Sequence, residues 1–120
     1  MSRGEIWTVA GAGDNAGKPR PAVIVQDGRF DATRSVTICA FTTTPTEVPL
    51  ARPLVEPSAR NGLQRPSRIM VDKITTVHRL KLGDRVGRLD AEDMIRLDRA
   101  LMVFLGLAGA EASRGEGRRA

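Results

Sequence analysis

Ala22-Val23-Ile24-Val25-Gln26 is the stretch on which the fold turns. A strand with one wet face alternates apolar and polar side chains, whereas these residues are almost continuously apolar. That pattern reads as a short strand buried on both faces, near the middle of a sheet. Downstream, Asp27–Arg34 reads as a turn. Ser35–Thr42 (SVTICAFT) follows as a second strand, rich in β-branched residues. Upstream lies a loop dense in Gly, Asn and Asp, from Gly11 to Pro19. Before it, Ile6–Val9 sets Trp7 and Val9 against Ile6 and Thr8 in a period of two.

Further out, Pro45 breaks the chain at Thr43–Thr46. Val48–Val55 is strand-like but carries Pro49 and Pro53, which confine it to a sheet edge. A polar stretch with a turn at Asn61-Gly62 leads to short β segments at Arg68–Val71, Lys73–Val77 and Gly83–Leu89. Then the period changes. Asp90 suits a helix N-cap, Asp93 can reach back to it, and Leu89 with Met94 can form a hydrophobic staple. Met94, Leu97, Leu101, Phe104 and Leu105 fall on one helical face, Glu92 is placed to pair with Arg96, and Gly106 suits the C-terminal cap. The expectation is a mainly β fold of five to seven short strands in a partly closed sheet, finished by one helix. Residues 1–107 form one domain in this reading, and 108–120, without apolar period, a disordered tail.

A chain of 120 residues with 41% hydrophobic side chains can bury a core without cross-links. Cys39 is its lone cysteine, so a disulfide scaffold is excluded. No apolar run approaches the ~20 residues of a membrane span, and the opening MSRGEIW does not read as a signal peptide. A cytoplasmic, non-membrane protein is expected. The net charge is +5, and Lys18, Lys73 and Lys81 are the only lysines among 19 cations, leaving sixteen arginines. Arginine's planar fork matches phosphate, so a nucleic-acid partner is a fair inference. Aromatics are 3%, too few for a base-stacking platform. Such a partner would be held through arginines, hydroxyls and backbone.

Gly11-Ala-Gly13-Asp-Asn-Ala16 imitates a dinucleotide fingerprint, but Gly17, Pro19 and Pro21 forbid the helix that would receive the pyrophosphate. Gly17-Lys18 hints at a P-loop, yet Ala12 and Pro19 replace its first glycine and its Ser/Thr. One His and one Cys, with no convergent Asp/Glu spacing, make no metal site, so no cofactor is expected. No nucleophile-elbow glycines accompany His78.

Read together, Arg3-Gly4-Glu5-Ile6-Trp7, the run from Gly17 through Arg20-Pro21 to Val25, Thr42, Gly62-Leu63 before Ser67, and Asp72-Lys73-Ile74-Thr75-Thr76-Val77 resemble the MazF/PemK family of toxin endoribonucleases. The ending from Ala100-Leu101 to Leu105-Gly106-Leu107 resembles its terminal helix, so the likeness spans about residues 3–107. It implies an SH3-like barrel that dimerises and cuts single-stranded RNA without a metal. It also implies a cognate antitoxin, acidic and partly disordered, that covers the RNA groove. Met70 stands where some relatives carry an arginine, which leaves open whether Arg68 takes its place; Lys73 stands where glutamine is common. Gyrase-poisoning toxins share the barrel without the RNase residues. A non-catalytic gyrase inhibitor or plain nucleic-acid-binding barrel is therefore the alternative reading.

The resemblance singles out Arg20 and Thr42 as catalytic residues. A guanidinium can stabilise the extra negative charge of the phosphorane formed when a 2′-OH attacks phosphorus. A threonine hydroxyl can donate to a phosphoryl oxygen or orient the 2′-OH. Lys18, Thr43, Thr44, Ser67, Arg68 and Asp72 are candidate RNA contacts. Asp72 admits two roles, proton acceptor or reader of a base edge. His78 has a suitable ordinary pKa but no counterpart in the family pattern. Finally, Leu101–Leu105 (LMVFL) is apolar on every side, whereas a small barrel covers one stripe. A second copy of the chain about a two-fold axis would cover the rest, unless the edge strand Val48–Val55 does so.

Overall fold

The computed structural model describes residues 2–11, 18–45 and 47–107. Seven strands and one helix account for its regular structure: β1 (Glu5–Val9), β2 (Arg20–Ile24), β3 (Ser35–Thr42), β4 (Leu54–Val55), β5 (Ser67–Ile69), β6 (Thr75–His78), β7 (Leu82–Arg88) and α1 (Ala91–Phe104). The sheet runs β4-β5-β3-β2-β1-β7, with β6 also pairing β3. Every pairing is antiparallel. The glycine-rich decoys at 12–17 and the tail at 108–120 lie outside the described residues.

Continuous apolarity in Ala22–Val25 has the cause its pattern suggested. Val23 and Val25 join Ile6, Cys39, Phe41, Val55, Ile69 and Leu97 in one buried cluster, on the side that α1 covers. Ala22 and Ile24 face the other way, into a second cluster with Val9, Val36, Ile38, Ala40 and Met70. The centre of the sheet is therefore dry on both faces, and β3 alternates between the same two clusters. Trp7 packs against the second cluster partly buried, and its indole Nε1 donates to Glu5 Oε1 at 3.0 Å. Burial works to raise the Glu5 carboxyl, but hydrogen bonds from Trp7 and Ser2, with Arg85 nearby, hold it below the usual carboxylate range.

The opening Arg3-Gly4-Glu5 fastens the helix to the sheet. Arg3 donates through Nε to the Val25 carbonyl at 3.0 Å and pairs with Asp98 on α1. Gly4 has φ +94°, and a Cβ there would stand 2.7 Å from Met94 Sδ. Asp90 caps α1 by accepting the Asp93 N–H at 2.8 Å. Two details of the helix differ from the sequence reading. Arg96 pairs with Asp93 at 3.0 Å rather than with Glu92, because it also donates to the Leu54 carbonyl and so leans toward β4. Burial and the neighbouring Asp90 carboxylate push Asp93 upward. The helix buries Leu97 and Ala100, but Phe104 is 45% and Leu105 53% exposed, since the last turn overruns the sheet.

Val48–Val55 is not one edge strand. Pro49 opens a 3-10 turn, Pro49–Ala51, and only Leu54–Val55 pairs, at the sheet edge beside β5. Likewise Val71–Lys73 is a 3-10 turn that separates β5 from β6.

The polar loop 56–66 is built on Asn61. Its buried Oδ1 accepts the N–H groups of Ser58 and Leu63 at 3.0 and 2.9 Å, while Nδ2 donates to the Glu56 carbonyl at 2.8 Å. The loop lies directly on β7, where a Cβ at Gly87 would meet backbone atoms of Arg60 and Asn61 at 2.4–2.6 Å. Backbone cannot yield as a side chain does. Gly87→Ala is therefore expected to destabilise the fold by about 1–3 kcal/mol. Thermal melting checks this against Gly28→Ala, whose Cβ would find nothing closer than 4.0 Å. Equal melting temperatures for the two variants would contradict the packing described here.

Candidate active site

Arg20 is the first residue of β2 and Thr42 the last of β3. Ala22 pairs with Ala40 and Val23 with Cys39 across these strands. Continuing that register by two residues sets Arg20 opposite Thr42. On its other side Thr42 pairs with Arg68 of β5. Directly opposed residues share a face of the sheet, so Arg20, Thr42 and Arg68 form one row across three neighbouring strands. Neighbouring strands lie ~4.8 Å apart, which puts about 10 Å between the two arginine backbones with the threonine midway. The row lies at the end of the sheet's second apolar cluster, beyond Ala22 and Ala40.

Each member is already oriented. Arg20 sits between Pro19 and Pro21 and pairs with Val9 on β1. Its Nε is buried and has no hydrogen-bond partner among the described residues. An unsatisfied buried donor costs about 1–3 kcal/mol, which an acceptor placed against it recovers. Thr42 Oγ1 accepts the Thr44 N–H at 3.1 Å. That bond fixes the hydroxyl through its lone pair, and among the described residues its proton has no acceptor, so it can be given to an incoming oxygen. Arg68 Nη1 donates to the Arg52 carbonyl at 2.8 Å. Two cations and a hydroxyl donor in a line, with no acid among them, suit a phosphodiester.

The other residues singled out from the sequence are distributed around this row. Lys18, Thr43 and Thr44 are exposed at its margins, where the chain enters β2 and leaves β3. Ser67 is buried, and its hydroxyl donates to the Arg65 carbonyl at 2.9 Å. Thr43 and Ser67 belong to the opposite face from the row. There they line a cavity of about 300 Å³ with Thr8, Pro21, Leu63 and Gln64. Asp72 is four residues past Arg68, in the 3-10 turn, and both its oxygens are engaged by Arg52, at 2.8 and 2.9 Å. Those hydrogen bonds hold the Asp72 carboxyl below the usual carboxylate range against the opposing effect of burial. His78 pairs with Ser35 at the far end of β3, where its Nδ1 accepts the Leu80 N–H at 3.1 Å. Among the described residues no group of three His, Cys, Asp or Glu side chains is placed to hold a metal ion. Burial, reinforced by the Asp72 charge, pushes the Cys39 thiol up to about 12, so it is inert as a nucleophile.

Arg52 is the residue that the sequence reading passed over. The available signal was the dipeptide Arg52-Pro53, which repeats the Arg20-Pro21 pairing and likewise restricts the arginine's backbone.

The chain is similar to known proteins over most of its length. Residues 2–105 match the model of the PemK-like, MazF-like toxins of type II toxin–antitoxin systems. A protein of Mycolicibacterium smegmatis named "Probable endoribonuclease MazF" is 56% identical over 109 residues, covering 91% of this chain and all of that one. Endoribonuclease EndoA of Bacillus subtilis is 31% identical over 98 residues, 79% of this chain and 83% of its own length. Among solved structures, a mycobacterial endoribonuclease in complex with its cognate antitoxin superposes with a TM-score of 0.73 at 27% identity. It covers 89% of this chain and 96% of that one. The ordered motifs, the β sheet closed by a C-terminal helix and these likenesses lead to one conclusion: the chain belongs to the MazF/PemK family of toxins of type II toxin–antitoxin systems.

Proposed function

We propose that this chain is the toxin of a toxin–antitoxin pair, an endoribonuclease that cuts single-stranded RNA, arrests translation and so stops growth. The reading rests above all on Arg20, whose buried Nε has no acceptor among the described residues and whose strand register sets it opposite the Thr42 hydroxyl. In the reaction the 2′-oxygen forms a bond to phosphorus as the bond from phosphorus to the 5′-oxygen breaks. The 2′-OH loses its proton and the 5′-oxygen gains one. The ends left are a 2′,3′-cyclic phosphate and a 5′-OH. Arg20 stabilises the charge of the phosphorane, and Thr42 donates to a phosphoryl oxygen. Positive charge at the scissile phosphate comes from arginine, so the reaction needs no metal.

Lys18 and Thr44 take neighbouring parts of the RNA strand at the exposed margins of the row. Thr43 and Ser67 help to shape the cavity on the opposite face of the sheet. The relatives named above are endoribonucleases, and nothing in the site favours gyrase inhibition or plain nucleic-acid binding over cleavage. Purified protein incubated with a long RNA and EDTA is expected to cut it at a restricted set of sites. RNA left intact across varied sequences would overturn the reading.

The same reading includes a homodimer. Met102, Val103, Phe104, Leu105 and Leu107 are each 44–62% exposed, and Leu50 beside them is 76% exposed. The edge segment at 48–55 thus leaves this apolar end of α1 open, and a second copy covers it about a two-fold axis. Sedimentation equilibrium at micromolar concentration is expected to give the mass of two chains. A mass that stays at one chain would reject the dimer. An acidic, partly disordered antitoxin is the third partner, complementary to the basic balance of the toxin, and the endoribonuclease–antitoxin complex among the similar structures supports it. No helix among the described residues is long and apolar enough to cross a membrane. A toxin that acts on mRNA belongs in the cytoplasm.

A further inference from the structure

We infer that Arg68 is the second cation on the scissile phosphate, and that Arg52, held by Asp72, is the residue that positions it. The inference rests on the endoribonuclease reading and deepens it. Arg68 stands in register with Thr42 on the side away from Arg20. Thr42 therefore stands between two arginine positions, one on each neighbouring strand. Among the described residues no carboxylate is paired with either arginine. Two unneutralised cations carried on backbones about 10 Å apart repel one another. That arrangement is stabilised when an anion lies between them, and a phosphorane carries more negative charge than the phosphodiester from which it forms. The gain is thus largest in the transition state.

The support behind Arg68 is specific. Arg52 grips both oxygens of Asp72, and the two side chains are only 15% and 23% exposed. The bidentate pair neutralises Arg52 and fixes its backbone at the entry to β4. From there the Arg52 carbonyl accepts Arg68 Nη1 at 2.8 Å, and the next carbonyl, of Pro53, accepts the Ile69 N–H at 3.0 Å. Arg68 is thereby held by one nitrogen, and among the described residues its remaining donors have no partner. Its rotamer entropy is lost on folding rather than on binding. Asp72 acts at a distance: it touches neither Arg68 nor the row, and it works through the Arg52 backbone.

The test uses the full chain and a single-stranded RNA carrying one site that the wild-type protein cuts. Arg68→Ala is expected to lower kcat by about 100-fold with a small change in KM, since removal of one preorganised donor costs about that much. Arg68→Lys keeps the charge but not the fork and should recover part of the loss. Asp72→Asn should lower kcat by about 10-fold while the melting temperature of the protein shows it folded. Because Asp72 acts through Arg68, the double variant should be no slower than Arg68→Ala alone. Multiplying losses in the double variant would overturn the positioning role. A loss confined to KM, or an Arg68→Ala protein that cuts at the wild-type rate, would overturn the assignment of Arg68. A wild-type protein that cuts no RNA would instead remove the endoribonuclease reading itself.

Discussion

Arg20→Ala is expected to slow RNA cleavage by 100-fold or more, while the protein remains folded and still binds RNA. The side chain lies at the start of β2, and its buried Nε has no partner among the described residues to lose. Removing it therefore breaks no ion pair among the described residues. What disappears is a preorganised cation beside the phosphorane, an effect worth about 100–1000-fold where one donor is lost from a site of this kind. Arg20→Lys should restore little of the rate, because a point charge on a flexible stem does not reproduce the planar fork. Single-turnover cleavage at saturating protein reads the chemical step directly. A rate within a few-fold of wild type would exclude Arg20 from catalysis.

The second large effect lies in the substrate. An RNA whose cut site carries one deoxyribose in place of ribose is expected to resist cleavage completely, because the attacking oxygen is missing. The phosphates remain, so Arg20, Arg68 and Lys18 still hold the strand. The substituted oligonucleotide should then compete with intact RNA at a concentration close to the KM of the ribose form. Cleavage at the substituted position would mean that water or another nucleophile attacks, and the role given to the 2′-OH would be wrong.

How much of this could be read from sequence depended on how local the cause was. The apolar run Ala22–Val25 named its own environment, since only a strand dry on both faces needs no alternation, and both clusters are there. Asp90 capped α1 as its type and position implied. Val48–Val55 reads as one edge strand, but Pro49 opens a 3-10 turn and decides the backbone there, so only Leu54–Val55 pairs. Phe104 and Leu105 share the apolar stripe of α1, but periodicity does not report where the sheet beneath a helix ends. In the candidate site, Arg20 and Thr42 were singled out through the family resemblance, each at the end of a strand. That they face one another is a fact of register, which Ala22 and Ala40 reveal and composition does not. Arg52 was invisible for a similar reason: its partner Asp72 is twenty residues away in the chain. Asp72 matched a motif position, yet a motif does not say that both oxygens are already occupied.

The identity of the RNA ends tests the central claim most directly. Fragments produced by the purified protein from a long single-stranded RNA in the presence of EDTA can be examined by mass spectrometry. Attack by the 2′-oxygen, with Arg20 and Thr42 on the phosphorane, predicts a 2′,3′-cyclic phosphate on each upstream fragment and a 5′-OH on each downstream one. A 5′-phosphate with a 3′-OH would contradict it, because that outcome requires an external nucleophile.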